Sequence, residues 1–314
     1  MPWRVRPLLL LALVVALVLA GCAGGEDGDR REGGSQPAAL PGKGKPPVRL
    51  GTKNFTEQYL LGELYAQALR AKGFSVDLKL DIGATEVADR ALTSGVIDLY
   101  PEYTGTSLSV VKGQQEVPGS ARETYRLAKA FYEARGQTLL EMTPFEDRDA
   151  VVVTQAYAAE HGLETTADLR KLGAAVTFGA PPEFRTRRAG LVGLREAYGL
   201  RQLRFEPLPI EAILDALDGG RIQAGDVFTT DPRLAGRMDS VLSDPKGIFG
   251  YQNVAPVVSE DALAEQGPAF AQTLDAVSAT LTTAAMRRLN AAVDVDGDTP
   301  EAAARRFLEQ QDLL

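Results

Sequence analysis

Residues 91–104 read "ALTSGVIDLYPEYT", and residues 216–229, at a constant offset of 125 positions, read "ALDGGRIQAGDVFT". Each stretch closes a helical pattern, passes a glycine and enters a short apolar run, so each predicts a helix followed by a strand. Tyr103 and Phe228 hold equivalent places after the two runs, and a threonine follows each of them. The shared order predicts two lobes of similar architecture.

Strand and helix patterns alternate from Val48 onward in both halves of the chain. The first half reads "VRLGT", "EQYLLGELYAQALRAKG", "SVDLKLDIG", "TEVADRALTSG" and "VIDLY", and the second half repeats this order from "AAVTFG" to "GDVFTTD". Such alternation predicts parallel-dominated sheets flanked by helices. Pro101 cannot donate to a ladder, so we expect the first run to end there, with Tyr100 in the core and Tyr103 beyond the strand.

The domain organisation follows from where the alternation stops. After "NVAPVVSEDAL", residues 253–263, the pattern is helical to the end of the chain, as expected when the chain crosses twice between lobes and finishes on the first. We predict lobe 1 from residues 47–145 and 255–314 and lobe 2 from residues 146–254, with two crossovers. Ligands of open α/β sheets bind beyond the carboxyl ends of the strands. Tyr103 and Phe228 are therefore expected on opposite walls of one cleft.

The amino-terminal residues predict export and lipid anchoring. A basic head precedes an apolar run at residues 8–20, which is too short to span a bilayer. The run ends in "LAGC", which resembles a bacterial lipobox, so we predict a signal peptide over residues 1–21 and lipid modification of Cys22. An ordinary cleaved signal with an incidental cysteine is the alternative. Residues 22–46 are rich in Gly, Pro and charge and predict a flexible tether.

Composition argues against several classes of function. The 314 residues carry a formal net charge of −8, one histidine (His161) and one cysteine. An acidic balance argues against a nucleic-acid partner, which requires a basic face. An acylated Cys22 leaves no thiol for a disulfide, a metal or a nucleophile, and one histidine offers no pair for catalysis. We therefore expect a protein that is not an enzyme and uses neither a cofactor nor a metal.

Several motifs in the right order resemble one family. "GTKNFTEQYLLGELYAQAL", "DLYPEYTGT", "GAPPEFRTR", "DVFTTDPRL" and "YQNVAPVV" are similar to the substrate-binding lipoproteins of osmoprotectant ABC importers, which bind glycine betaine, proline betaine, choline or carnitine. The resemblance covers nearly all of residues 48–312. It implies a two-lobed fold of the type II periplasmic-binding-protein class with two crossovers as a hinge. It also implies a lipid-anchored, extracytoplasmic monomer that delivers solute to a permease and its ATPase.

The resemblance carries over a set of site residues. A quaternary ammonium donates no hydrogen bond and is recognised by aromatic faces, whereas a carboxylate requires cationic or N–H donors. Lys53, Tyr103, Thr106 and Arg187 match positions of the family's site by motif. Phe228 stands where relatives often have tyrosine, and it keeps the aromatic face without the hydroxyl.

Two positions depart from the family's pattern. Asp149 stands where betaine binders usually have an aromatic residue, and Gln252 occupies the usual place of a tyrosine, with Tyr251 one residue earlier. A loop shift of one residue would restore that ring. The alternatives are therefore a quaternary ammonium ligand, another cationic solute such as an amine or amino acid, or a sensor lipoprotein without a transport role.

Overall fold

The computed structural model describes residues 40–234 and 241–314. The predicted signal peptide, Cys22 and most of the predicted tether lie outside these residues. Within the described part of the chain, no helix has the length and apolar character needed to cross a membrane.

Short strands and helices alternate along the described chain. The strands are β1 (Val48–Gly51), β2 (Val76–Lys79), β3 (Leu99–Tyr103), β4 (Gln137–Leu139), β5 (Asp149–Val152), β6 (Thr177–Ala180), β7 (Arg204–Pro207), β8 (Ala224–Phe228), β9 (Val241–Leu242) and β10 (Val254–Ser259). The α-helices are α1 (Thr56–Ala71), α2 (Thr85–Thr93), α3 (Thr104–Thr106), α4 (Ala121–Glu133), α5 (Gln155–His161), α6 (Gly193–Ala197), α7 (Ile213–Asp218), α8 (Glu260–Gln266), α9 (Pro268–Thr280), α10 (Thr283–Asp294) and α11 (Pro300–Gln310).

The strands form two five-stranded sheets of the same topology. The first sheet has the order β2-β1-β3-β10-β4 and the second β7-β6-β8-β5-β9. In each sheet four strands share one direction, and the exception is the strand that follows a crossing, β10 or β5. The predicted α/β architecture of two similar, parallel-dominated lobes is confirmed. The 125-residue offset also holds, because β3 and β8 end at Tyr103 and Phe228.

Two chain segments connect the sheets. The first crossing follows β4 and enters β5, and the second follows β9 and enters β10. They lie side by side, because Glu146 and Asn253 form an antiparallel bridge and the Asp147 amide donates to the Gln252 carbonyl at 3.1 Å. Residues that precede β5 and β10 are thus held close to the space between the sheets.

The main core lies where the terminal helices cover the first sheet. Helix α1 contacts α9, α10 and α11, and its apolar stripe buries Leu60, Leu61, Leu64 and Tyr65 completely. Apolar residues at this helical spacing predict one buried face. The buried face of α1 therefore explains the spacing of its apolar residues. The Tyr65 hydroxyl lies 2.9 Å from that of Ser278, so its polar end is satisfied within the core.

The first apolar run does not end at Pro101 as the sequence predicts. Strand β3 continues to Tyr103, and Pro101 pairs with Pro256 of β10. Two prolines face each other there, and the pairing of β3 with β1 reaches only Leu99, so neither side requires a donor from Pro101. Tyr100 is fully buried, as expected, with its hydroxyl 3.3 Å from that of Tyr132.

Candidate functional site

A cleft of about 300 Å³ lies between the two sheets. Its walls are the ends of β3 and β8 and the segments that follow β1, β2, β3, β6 and β7, together with both crossings. This placement agrees with the expectation that ligands bind beyond the carboxyl ends of the strands. Of the predicted site residues, the cleft brings together Lys53, Tyr103, Thr106, Asp149, Arg187, Phe228 and Gln252.

Three aromatic rings form a row along the cleft. Phe55 lies between Tyr103, with ring centroids 6.2 Å apart, and Phe228, with centroids 5.1 Å apart. Tyr103 ends β3 in the first sheet and Phe228 ends β8 in the second, so the row crosses from one lobe to the other. Aromatic faces in such a position attract a cation through the ring quadrupole.

Lys53 is engaged by groups of the protein itself. Its ammonium forms a buried ion pair with Glu102, donates to the Thr85 hydroxyl at 3.0 Å and lies 4.5 Å from the centroid of the Tyr103 ring. Burial lowers the pKa of Lys53, and the Glu102 carboxylate opposes that effect. The role of Lys53 as a donor to a ligand carboxylate stays a prediction, and in this structure its charge supports the wall under Tyr103.

Gln252 fixes the loop that follows Tyr103. Its side-chain oxygen accepts hydrogen bonds from the Thr106 amide at 3.0 Å and the Thr106 hydroxyl at 3.2 Å. The contact requires Gly105, because a β-carbon there would lie 2.5 Å from the Tyr251 carbonyl oxygen. Tyr251 does not line the cleft, and its hydroxyl donates to the Gly119 carbonyl at 3.3 Å. Gln252, and not its neighbouring ring, thus faces the ligand space.

Arg187 reaches across the cleft. It follows β6 of the second sheet and forms an ion pair at 3.3 Å with Glu86 of α2, which packs on the first sheet. Its Nε is buried and donates to no described acceptor, although Arg187 lines the cleft. A guanidinium with an unused N–H at a cleft wall is suited to bind a carboxylate.

Acidic side chains line the wall formed by the first crossing and the second sheet. Asp149 and Asp226 lie close together on one face of the second sheet, because Asp149 pairs with Phe228 and Asp226 precedes Phe228 by two residues on β8. Burial and the Asp149 charge raise the pKa of Asp226 well above its usual value. Burial also raises the pKa of Asp149 to about 6, although the Arg187 guanidinium acts in the opposite direction. The negative charge of each of two neighbouring carboxyl groups opposes ionisation of the other, which favours one proton shared between them.

A second acidic group ties the lobes together behind the aromatic row. The buried Glu57 accepts hydrogen bonds from the Tyr103 hydroxyl at 2.9 Å, the Asn290 amide at 3.0 Å and the Thr230 hydroxyl. These donors come from β3, from α10 and from the segment after β8. Asp147 adjoins the group and accepts from the Thr230 amide at 3.1 Å. Burial raises the pKa of both carboxyl groups.

The sequence interpretation missed several residues of the cleft. Phe55, Asp147 and Asp226 line it. Phe55 follows a strand just as Tyr103 does, so the rule that selected Tyr103 applies to it equally. Asp226 interrupts the apolar run of β8, and a charged residue within a buried strand is itself a sign of function. Among residues 40–234 and 241–314, no group of His, Cys, Asp and Glu side chains is arranged to hold a metal ion.

The buried Asp226 carboxyl group predicts a pH-dependent stability. Because the folded pKa of Asp226 is raised, the folded state holds a proton that the unfolded state releases, and stability falls as the pH rises. Replacing Asp226 with asparagine removes this penalty. We expect the free energy of unfolding of the variant to exceed that of the wild type by about 1–2 kcal/mol at pH 8. This difference is expected to shrink as the pH is lowered to about 5.

Urea denaturation of the ligand-free protein at the two pH values measures this difference. Asp77→Asn is the matched control, because Asp77 is exposed and lies on the first sheet, whereas Asp226 lies on the second. A stability gain of the same size at both pH values in the Asp226→Asn protein would contradict the assignment of a shared proton.

Comparisons with known proteins agree with this geometry. The family model "Substrate binding domain of ABC-type glycine betaine transport system" matches residues 46–310. The "Glycine-betaine-binding protein" of Pseudomonas aeruginosa is 34% identical over 278 residues, which covers 85% of this chain and 88% of that protein. The "Glycine betaine-binding protein YehZ" of Escherichia coli is 30% identical over 288 residues, covering 87% of this chain and 93% of that protein.

Solved structures show the same fold. The apo structure of YehZ aligns with a TM-score of 0.60 and 30% identity, covering 85% of this chain and 99% of that chain. A structure described as a glycine betaine/carnitine/choline ABC transporter aligns with a TM-score of 0.67 and 22% identity over 85% of this chain and 99% of that one. The predicted type II periplasmic-binding-protein fold is thereby confirmed.

The matched model spans most of the chain, and two relatives reach 30% identity over more than four fifths of it. Proteins of this family bind a small solute outside the cytoplasm and present it to an ABC permease and ATPase. The expectation that the protein is not an enzyme is confirmed by this membership. The chain belongs to the family of substrate-binding domains of ABC-type glycine betaine transport systems.

Proposed function

We propose that the cleft binds a quaternary-ammonium solute of the glycine betaine, choline or carnitine class for delivery to the permease. The aromatic row of Tyr103, Phe55 and Phe228 carries this proposal. A methylated ammonium cannot donate hydrogen bonds, so ring faces are its main means of specific recognition. The names of the two relatives in Pseudomonas aeruginosa and Escherichia coli point to the same ligand class.

The charges of the cleft support a cationic ligand. Five acidic residues line it, against Lys53 and Arg187 as its basic residues; the acids are Asp147, Asp149, Glu183, Glu211 and Asp226. Even without Asp147 and Asp226, whose pKa values are raised by burial, three acids stand against the two basic residues. The charge of Lys53 is also compensated by Glu102 behind the wall. A cleft that holds one sign of charge in excess concentrates ions of the opposite sign. The cationic end of a betaine is therefore favoured between the rings and the acidic wall.

The basic group of the cleft suits the other end of a betaine. Arg187 lies on the wall with an unused N–H, and the Thr85 and Thr106 hydroxyls lie on the opposite lobe. We propose that the ligand carboxylate binds Arg187 and thereby strengthens closure of the two lobes around the two crossings. The predicted lobe boundaries, with residues 47–145 and 255–314 moving against residues 146–254, belong to this proposal.

A different cationic solute is the second candidate. Ring faces alone can bind a methylated ammonium, but this cleft also contains the carboxyl groups of Asp149 and Asp226. Carboxyl groups accept hydrogen bonds, so a protonated amine or a basic amino acid is also suited to this wall. The two candidates differ in whether the cation itself donates hydrogen bonds.

Isothermal titration of the purified protein distinguishes the candidates. The panel contains glycine betaine, choline, carnitine, a polyamine and a basic amino acid. Binding of a methylated ammonium supports the first candidate, and binding of the amines alone supports the second. Silence across the panel would contradict both and favour a lipoprotein that retains the fold without this transport role.

Loss of one ring is expected to weaken binding of a methylated ammonium. Phe228→Leu keeps apolar bulk at the end of β8 but removes the aromatic face, so we expect a loss of about 0.5–2 kcal/mol in binding free energy. Phe131→Leu is the control, because Phe131 packs against Tyr132 away from the cleft. Equal affinities of both variants and the wild type in titration would remove Phe228 from the site.

Residues outside the described part complete the proposal. We propose that the protein is a monomer that the lipid-modified Cys22 anchors to the cytoplasmic membrane, with residues 22–46 as the tether. Two or more acyl chains give stable anchoring where a single one is marginal. Mass spectrometry of the amino-terminal peptide from the membrane fraction tests this point, and a peptide with an unmodified Cys22 would contradict it.

A further inference from the structure

The pair of Asp149 and Asp226 has acceptor capacity that the protein does not use. Oδ1 of Asp226 is buried and receives no hydrogen bond from a described N–H or hydroxyl group, and Asp226 is 1% exposed. One proton shared between two carboxyl groups satisfies one contact, while each carboxyl group offers several acceptor positions. Buried acceptors are nearly always satisfied in folded proteins, so an unsatisfied one beside a ligand cleft calls for a donor from the ligand.

Strand geometry places these carboxyl groups next to the aromatic row. Asp226 and Phe228 are two residues apart on β8, so they share one face at a separation of about 7 Å along the strand. Asp149 is the direct partner of Phe228 across the β5–β8 pair, where side chains stand about 5 Å apart. All three residues line the cleft. When a cationic nitrogen lies on the Phe228 ring, a group that is two or three bonds from that nitrogen in the ligand can therefore contact the two carboxyl groups.

Two other buried acidic residues near this place already accept hydrogen bonds from the protein. Asp147 accepts from the Thr230 amide, and Glu57 accepts from three side chains. Arg187 pairs with Glu86 and has one unused N–H. That group can bind an anion, but it cannot accept a hydrogen bond from a ligand hydroxyl. Among the described residues that line the cleft, Asp226 is thus the acidic residue with a buried oxygen that receives no hydrogen bond. A methylated ammonium alone leaves that capacity unused, because it has no N–H or O–H to give.

We infer that the cleft selects ammonium solutes that carry a hydroxyl close to the cationic nitrogen, and that this hydroxyl donates to the Asp149–Asp226 pair. The inference rests on the proposed function and narrows its ligand class. The rings bind the methylated nitrogen, Arg187 binds a carboxylate where the ligand has one, and the carboxyl pair recognises the hydroxyl between them. Glycine betaine, which has no hydroxyl, is then a weaker ligand than its hydroxylated relatives.

Two matched ligand pairs test the inference on the wild-type protein. Carnitine is compared with 4-trimethylammoniobutanoate, and choline with propyltrimethylammonium; within each pair the hydroxyl is lost while the ammonium is kept. A hydrogen bond to a charged acceptor predicts about 10- to 100-fold tighter binding of the hydroxylated member in titration. Affinities within about threefold in both pairs would overturn the inference and leave the proposed function intact. Absence of binding by all four would overturn both.

Variants assign the selectivity to particular residues. Asp226→Ala is expected to reduce the hydroxyl preference to less than about threefold. Asp77→Asn changes an exposed aspartate of β2 outside the cleft and is expected to retain the preference. A preference that survives Asp226→Ala unchanged would overturn the role of the pair. If that variant does not fold, the ligand pairs on the wild-type protein decide the question alone.

Discussion

Replacing Glu102 with glutamine is expected to destabilise the protein by about 3–5 kcal/mol at pH 7. Glu102 is fully buried, and its carboxylate is the counter-charge of Lys53, which is 3% exposed. Glutamine has the same shape but leaves the Lys53 ammonium without a compensating charge in a site that excludes water. Breaking one side of a buried ion pair is costly for this reason, even where the intact pair contributes little net stability. Urea denaturation measures the loss.

The same substitution at the surface is the control. Glu206 pairs with Arg221, whose side chain is 61% exposed, so Glu206→Gln is expected to change stability by less than about 1 kcal/mol. The Lys53→Met, Glu102→Leu double variant removes both charges and is expected to recover most of the stability lost in Glu102→Gln. Equal losses for Glu102→Gln and Glu206→Gln would contradict the buried-pair account.

The effect of Glu102→Gln also has an expected pH dependence. Burial already lowers the pKa of Lys53, and loss of the Glu102 charge lowers it further. The folded variant then binds fewer protons than the unfolded chain, so its stability rises with pH. The difference from the wild type is therefore expected to shrink above about pH 9, as the lysine loses its charge. A difference that stays constant with pH would indicate a packing defect.

The placement of Tyr103 and Phe228 at equivalent positions of the two central strands was predictable from the sequence, whereas the surroundings of these two residues were not. Tyr103 and Phe228 follow apolar runs at equal offset, and chain order alone places both at one cleft. Phe55 completes the row only because the loop after β1 folds between them. The partners of Lys53 depend on contacts between β1, α2 and β3, which are distant in sequence. Local sequence patterns do not predict contacts between residues that are distant in sequence.

The segment before β10 shows why motif matching loses residue-level detail. Tyr251 and Gln252 are neighbours in an extended segment, where successive side chains point to opposite sides. The Gln252 amide contacts Thr106 at the cleft, so the Tyr251 ring lies on the other side, against Gly119. The sequence analysis proposed both residues for the site but left open which of them faces the cleft. Only the register of the second crossing against β3 decides that question.

Removal of the Arg187 guanidinium is expected to separate ligands by whether they carry a carboxylate. Arg187→Met keeps the length of the side chain and removes its charge and donors. We expect carnitine to lose about 2–4 kcal/mol of binding free energy, which is on the order of 30- to 1,000-fold in affinity. Choline has no carboxylate, so its affinity is expected to stay within about threefold. Titration of both ligands against both proteins gives the comparison.

Arg187 also pairs with Glu86 across the cleft, so a loss of affinity has two physical explanations. Glu86→Gln removes the cross-cleft charge pair while leaving Arg187 free to bind an anion, and it separates the two roles. If Arg187 binds the ligand carboxylate, Glu86→Gln retains carnitine binding and Arg187→Met does not. If the ion pair instead holds the lobes closed, the two variants weaken carnitine and choline alike. The second pattern would remove Arg187 from the ligand contacts and make it a residue of lobe closure.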